Sequence, residues 1–228
     1  MKIKELFETS STQQMTNPEV RDMIEYWVEK GWLKHNGVVG DMSHGFQIAS
    51  DGSAEFKYEK LEIVNEMLTP DGTFPFKLSR AKYVAVRANN LSSFKNFPEQ
   101  IEHRPAGNFL CLDMLAPSFP HLTSLEGCPK YCRGHLRLSR AKNLSYVDVD
   151  KHILAADVIT INEEYVGPML GFLKVQKLRE IRYLYSENGK LAEAAEIIND
   201  HLEKDKSILA CANELRIKKL YEYAKLWK

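Results

Sequence analysis

The sequence has no excess of either charge, because 31 lysines and arginines are balanced by 31 aspartates and glutamates. Proteins that bind nucleic acid generally concentrate positive charge against the phosphates, so this balance argues against that function. No apolar run approaches the roughly 18 residues of a membrane span, and the N-terminal MKIKELFETSS lacks the apolar stretch of a secretory signal. We therefore expect a cytoplasmic protein with no membrane contact.

The sequence also lacks the short motifs that are typical of nucleotide-binding sites and of common hydrolase active sites. It contains no G-x-G-x-x-G, P-loop, H-E-x-x-H or G-x-S-x-G pattern. Its histidines are scattered, and none forms an i, i+4 pair on a predicted helix. We therefore expect neither a cofactor nor catalytic residues. An enzyme is the alternative if the fold gathers His135, His152, Asp148 and Asp150, the last two of which are predicted to share one face of a short extended stretch.

Helical patterns stand at both ends of the chain. Asn17 followed by Pro18 predicts a helix start, with asparagine as the cap. Apolar residues at spacings of three and four then indicate one buried face, at Val20, Met23, Ile24, Trp27 and Val28. Two further helical faces are predicted near the C-terminus, at Leu191, Ala194, Ala195, Ile198 and Leu202, and then at Ile208, Cys211, Ala212, Leu215 and Leu226. We expect the C-terminal pair to cover one end of the domain before it.

The middle of the chain repeats itself. LSSFKNFPE, beginning at Leu91, aligns with LTSLEGCPK, beginning at Leu122, and short alternating strands are predicted at 84–86, 109–111, 136–138 and 158–161. A strand and a turn of this length cannot bury an apolar face alone, so successive units must stack and share one core. The segment LAPSFPH is predicted to be an insertion within the second unit. Ahead of the repeats, GFQIASDGSAEFKY predicts a hairpin closed by Ser-Asp-Gly.

These patterns predict an α/β protein in four parts. They are a flexible N-terminal segment (1–17), a helix (18–37), a short irregular solenoid with an opening hairpin (38–187) and a C-terminal helical cap (188–228). Each predicted strand has an outward side, which we expect to form a strand-lined surface for a protein partner. The candidate partner-binding residues are Tyr83, Arg87, Leu110, Arg137, Arg140 and Thr160.

The repeat units NNLSSFKNFP, GNFLCL and LTSLEGCPKYCRGHLRL resemble the leucine-rich-repeat-like proteins of tailed bacteriophages. The resemblance covers roughly residues 45 to 226 and implies a leucine-rich solenoid, while most members of that group have no assigned activity. It implies a phage protein in the host cytoplasm, and our leading hypothesis is that such a module binds a host or defence protein. A packaged virion protein is the alternative, since MKIKELFE resembles the leader of phage head proteins that are cut after a Leu-x-Glu triplet. Glu8 is then the processing site.

Cysteines are few, and Cys128 and Cys132 fall close to His135 as in a small metal knuckle. The spacing C-x3-C-x2-H is unusual for zinc, and only His121 is an obvious fourth ligand. The repeat offers another interpretation, because the position of Cys128 is taken by Phe97 in the preceding unit, and a zinc ligand would not be replaced by phenylalanine. Cys111 likewise aligns with Leu138. We therefore expect buried free thiols and no metal.

Overall fold

The computed structural model describes residues 16–33, 46–57, 60–101, 110–183 and 189–225. Its first element is the helix α1 (Asn17–Glu29), which buries Val20, Met23, Ile24 and Trp27. Thr16 rather than the predicted Asn17 is the cap, and its backbone N–H donates to the carboxylate of Glu19 at 2.8 Å. This arrangement satisfies one of the backbone donors that a helix start leaves open.

The helix α1 covers the start of the solenoid through aromatic packing. The ring of Trp27 lies 5.4 Å from the ring of Phe74 and 5.4 Å from that of Phe76, both in the first coil. The predicted hairpin is present beside it, with β1 (Phe46–Ile48) antiparallel to β2 (Ala54–Phe56). Gly52 in its turn has a φ of 78°, which favours glycine.

From β2 onward the chain winds through two parallel sheets in turn. The first sheet holds β1, β2, β4 (Leu78–Ala81), β6 (Gln100–Ile101) and β8 (Tyr131–Cys132). The second holds β3 (Leu61–Ile63), β5 (Val84–Val86), β7 (Leu110–Met114), β9 (His135–Arg137), β10 (Val158–Ile161) and β11 (Glu180–Tyr183). The α/β solenoid predicted from the repeat is thus confirmed, with about five turns and with two strands in a coil where the repeat indicated one.

The core is built from columns of side chains that repeat from coil to coil. In the second sheet, paired positions place aliphatic residues directly beside one another, at Leu61, Val84, Leu112, Leu136, Ile159 and Ile181. All six are at most 1% exposed. One coil alone would leave this column open to water, so burial comes from stacking.

Neighbouring coils approach so closely that one turn admits only glycine. Gly127 has a φ of 78°, and a Cβ atom there would lie 2.7 Å from the carbonyl group of Phe94 in the preceding coil. The obstacle is backbone, which cannot move aside like the end of a flexible side chain. Gly127 therefore sets the spacing of the two aligned repeat units.

Two details of the predicted solenoid are wrong, and one is incomplete. The segment from Met114 to Leu122, which contains LAPSFPH, is three residues longer than the equivalent segment from Val86 to Leu91. A larger addition was not predicted: residues 102–109 separate β6 from β7, whereas only Lys82 and Tyr83 separate the equivalent β4 and β5. A bulge at Cys111 shifts the register, so that Leu112 and not Cys111 joins the core column. Asp148 and Asp150 do not alternate along a strand, because Asp148 caps the short helix α2 (Val149–His152) that contains Asp150.

A helical pair closes the C-terminal end of the solenoid, as predicted. The helix α3 (Gly189–Glu203) buries its predicted face, and α4 (Ile208–Ile217) buries Cys211, Ala212 and Leu215. Asn199 of α3 accepts a hydrogen bond from the backbone N–H of Ile181 at 2.8 Å and donates to its carbonyl at 3.0 Å. The helix thereby occupies backbone groups on the otherwise open edge of β11.

Some predicted features lie outside the described residues. They are Glu8 and nearly all of the predicted flexible segment, the stretch 34–37 of the predicted first helix, and Leu226.

Short 3-10 helices occur at Asn65–Met67 and Leu170–Lys174. In the described part of the chain, no helix is long and apolar enough to cross a membrane.

Candidate functional site

The outward side chains of the second sheet form a surface that we call the polar face. Strand pairing places one outward residue of each strand beside the next, in the order Glu62, Ala85, Asp113, Arg137, Thr160 and Arg182. Parallel strands stack ~4.8 Å apart, so these side chains form a ladder along the solenoid axis. Charged groups from several coils therefore share one surface.

Asp113 lies at the centre of the polar face and is 3% exposed. Its Oδ2 atom accepts from the hydroxyl of Tyr83 at 3.5 Å and from Nη1 of Arg137 at 3.3 Å. Its Oδ1 atom is buried and has no hydrogen-bond partner among the described residues. Burial raises the pKa of Asp113, although the charge of Arg137 opposes the shift. Burial, followed by the charge of Asp113, raises the pKa of Tyr83 to about 12.

Arginines on and beside the polar face donate hydrogen bonds to carboxylate or carbonyl oxygen atoms of the protein. Nε of Arg87 donates to Glu62 at 2.6 Å, and Arg182 donates to Glu180 at 2.7 Å. Arg140 reaches the carbonyl oxygen atoms of Leu115 and Ala116 at 3.4 and 3.5 Å. The contacts of Arg87, Arg137 and Arg140 each join two neighbouring coils. The side chains of Arg87 and Arg182 nevertheless remain 54% and 52% exposed, so both can still donate to a partner.

His135 and Thr160 form a second contact between strands. Nε2 of His135 lies 2.5 Å from the hydroxyl oxygen of Thr160. Burial, with the nearby charges of Arg137 and Arg182, lowers the pKa of His135 to about 4. The ring is therefore neutral at pH 7, and it adds no positive charge to the face.

The six predicted partner-binding residues all lie on or beside this face, but they are not equally accessible. Arg87 and Arg140 are exposed, and Arg137 and Leu110 are partly buried. Tyr83 is 7% exposed, and Thr160, which is 1% exposed, has almost none of its side chain open to a partner. Its hydroxyl is used within the fold, on His135.

Sequence patterns did not indicate Asp113 as a residue of the polar face, because a bulge such as the one at Cys111 cannot be recognised from the alternation of apolar and polar residues. Without the bulge, Leu110 appears to stand beside Arg137, whereas the register pairs Leu110 with His135 and Asp113 with Arg137. The available signal was a single carboxylate inside an otherwise apolar strand, LCLDM. A buried carboxylate needs a partner, which marks such a position for attention.

The structure separates the residues of the metal and enzyme hypotheses. Cys128 and Cys132 are buried, and the thiol of Cys132 contacts the carbonyl of Pro129 at 3.8 Å, whereas His135 bonds to Thr160 on the outer face. The carboxylates proposed to join His135 are bound elsewhere, Asp148 by Lys151 at 3.1 Å and Asp150 by Lys174 at 3.1 Å. Among the described residues, no three metal-ligating side chains converge.

Comparisons with known proteins add no further assignment. No protein-family model, curated protein or solved structure matches the chain. What the polar face does therefore rests on its own geometry and charge.

Proposed function

We propose that this protein is a non-enzymatic binding module that holds an acidic surface of a protein partner against its polar face. The observation that carries the proposal is the set of arginines that successive coils bring to one surface. Arginine is favoured at protein interfaces because its planar guanidinium binds carboxylates through two parallel hydrogen bonds. Each of these arginines already has one contact that limits its motion, which reduces the entropy lost on binding.

The charge of the face favours an acidic partner. Five cationic side chains lie on or beside it (Lys60, Arg87, Arg137, Arg140 and Arg182), against three carboxylates (Glu62, Asp113 and Glu180). Burial moves Asp113 toward its neutral form, which increases the positive excess. A chain with no net charge thus carries a locally basic surface, which would attract and orient an acidic partner.

The resemblance to phage leucine-rich-repeat-like proteins supports a choice of where to look for the partner. On that reading the chain is an irregular leucine-rich solenoid from a tailed phage. Its partner is then a host or defence protein of the bacterial cell. We include this origin in the proposal, and the binding face stands independently of it.

The proposal is tested by comparative capture from bacterial cells infected with a tailed phage. The bait is the full chain in three forms: the natural sequence, Arg87→Gln/Arg182→Gln, and Arg80→Gln/Arg216→Gln. The control pair removes the same charge from the first sheet and from α4. Arg87 and Arg182 are chosen because neither contacts Asp113, so the buried carboxylate keeps its partners.

We expect one protein to be captured by the natural sequence and by the control variant and to be lost from Arg87→Gln/Arg182→Gln. All three baits should be folded at the capture temperature, which their thermal midpoints check, so that a loss of capture reflects the surface and not unfolding. Recovery of no protein above background, or equal recovery with all three baits, contradicts the proposal.

A further inference from the structure

A second surface on the solenoid has the form of a small-molecule site. It is an open groove of about 650 Å³ on the first sheet, near the corners where the chain turns toward the second. We call it the Tyr131 groove. Its volume lies within the range of roughly 300–1,000 Å³ that is usual for ligand sites.

The register of the first sheet creates a slot in this groove. Tyr131 pairs with Gln100 on one side and with Ala155 on the other, and Ala155 pairs with Gln176. Ala155 contributes only a methyl group between two long side chains. Tyr131 and Gln176 therefore stand two strands apart, about 9.6 Å, which leaves room for one ring in van der Waals contact with each.

The backbone N–H groups along the floor of the slot already donate hydrogen bonds within the protein. The amide of Tyr131 donates to Glu99 at 3.1 Å, that of Ala155 to Lys130 at 3.0 Å, and that of Gln176 to Leu154 at 2.8 Å. A ligand must therefore be recognised by the side chains around it. The Tyr131 ring, which belongs to a residue 44% exposed, is the apolar platform.

Polar side chains with unused capacity surround that platform. In the described part of the chain, the side chains of Gln100, Gln176, Arg133 and Lys177 make no hydrogen bond or ion pair, although all four line the groove. Asp157 lines it too and faces Arg179 at 3.9 Å. The groove thus offers two amides that donate and accept, two cations and one carboxylate.

We propose that the Tyr131 groove binds an acidic sugar, a pyranose ring that carries a carboxylate, as a unit of an oligosaccharide. The ring would lie against Tyr131 above Ala155, and its hydroxyls, which both donate and accept, match the amides of Gln100 and Gln176. Its carboxylate matches Arg133 and Lys177. A nucleic acid fits less well, because it carries a negative charge at every nucleotide and the chain as a whole has no positive excess to match it.

The test is calorimetric titration of the full chain with defined saccharides. The acidic probes are tetragalacturonate, a hyaluronan tetrasaccharide and sialyllactose. Maltotetraose is the uncharged arm, and the oligonucleotide dT4 is the nucleic-acid arm. We expect at least one acidic saccharide to bind, and maltotetraose to bind about tenfold more weakly, as the loss of one charge-assisted contact predicts.

Substitutions in the groove test whether the saccharide binds there. Tyr131→Ala should weaken the acidic saccharide about tenfold or more, and Ala155→Phe, which fills the slot, should abolish its binding. Tyr221→Ala and Arg216→Gln, which change an exposed tyrosine and an arginine on the C-terminal cap, should leave it unchanged. If Ala155→Phe does not fold, Tyr131→Ala and Arg133→Gln decide the matter.

Three results would overturn the proposal. They are no binding of any acidic saccharide, equal binding by the natural chain and Tyr131→Ala, and binding of dT4 through Tyr131 in place of a sugar. None of them bears on the polar face, which lies on the other sheet.

Discussion

At the scale of single residues, Asp113 is the most informative position in the protein. It is a carboxylate on the outward side of a strand, yet it is almost fully buried, and one of its oxygen atoms lacks a partner among the described residues. Such a group costs stability when it is charged, because desolvation is only partly offset by Tyr83 and Arg137. Its Oδ2 atom accepts from Nη1 of Arg137, and in the function that we propose this contact orients Arg137 toward a partner.

Replacement of Asp113 tests this assignment through the pH dependence of stability. The pKa of Asp113 is raised in the folded state, so its contribution to stability is most favourable below the unfolded pKa and is lost as pH rises through the folded pKa. Asp113→Asn should therefore raise the thermal midpoint at pH 7, and the gain should shrink as pH falls toward 4. Thermal unfolding from pH 4 to 8 measures both.

Glu62→Gln is the matched control, because its effect on stability should depend on pH in the opposite direction. Burial opposes ionisation of Glu62, but hydrogen bonds and charges from Lys60 and Arg87 outweigh it and lower its pKa. Its stabilising contribution is present above the unfolded pKa and is lost as pH falls through the folded pKa. Glu62→Gln should thus destabilise the protein at pH 7 and matter less in acid. The same pH dependence for both variants would contradict the assignment.

The buried cysteines give a second prediction at this scale. Cys128 is 4% exposed and faces the core, so Cys128→Ala should cost only about 1 kcal/mol of unfolding free energy, because the lost side chain is small. A strong chelator should leave the thermal midpoint unchanged. Elemental analysis of protein purified without added metal should find no zinc; one zinc per chain, or unfolding by the chelator, would show that the thiols are metal ligands.

At the scale of elements, four of the six strands of the second sheet could be predicted from the sequence (β5, β7, β9 and β10), whereas in the first sheet only the hairpin strands β1 and β2 could. The strands at 84–86 and 158–161 lie where they were predicted, and β9 lies one residue earlier than predicted. Each of these strands places one aliphatic residue in the same core column, at Val84, Leu136 and Ile159. In the first sheet, β6 and β8 contain two residues each, too few to show any period, and stacking alone fixes their position. The Tyr131 groove lies on these short strands, so no pattern in the sequence indicated it.

The turn at Gly127 provides a prediction about coil stacking. Gly127→Ala should destabilise the protein by roughly 2 kcal/mol or more, because its φ is positive and the new Cβ would collide with backbone of the preceding coil. Gly189→Ala is the control, since nothing lies within 4 Å of a Cβ at this helical residue. Urea unfolding should show no loss for Gly189→Ala. Equal effects of the two substitutions would contradict the close approach of the coils.

The edge of β11 provides a further prediction about the stability of the fold. Asn199→Ala removes both hydrogen bonds to Ile181 and should cost about 1–3 kcal/mol, because two backbone groups lose their partner. The variant should also associate more readily through the freed edge. Urea unfolding and size-exclusion chromatography measure the two effects, with Asn213→Ala on the exposed side of α4 as the control. Unchanged stability would mean that Asn199 does not cap the strand.

At the scale of the whole molecule, the solenoid separates two surfaces that share one core. The polar face lies on the second sheet and the Tyr131 groove on the first, while α1 and the C-terminal pair cover the two ends. The sequence predicted this plan because helical faces and repeats are long-range patterns. It could not predict which charges meet, since the contact of Asp113 with Arg137 depends on a one-residue shift in one strand.

The affinity of the captured partner for the polar face is the most direct test of the proposed function. The partner is titrated with the natural chain, with Arg87→Gln/Arg182→Gln and with the control Arg80→Gln/Arg216→Gln, at low and at high salt. We predict that loss of Arg87 and Arg182 weakens binding about tenfold or more and flattens its salt dependence, because charge-assisted contacts are lost. The control should keep the natural affinity. If both variants bind as the natural chain does, the arginines of the second sheet are not the binding surface.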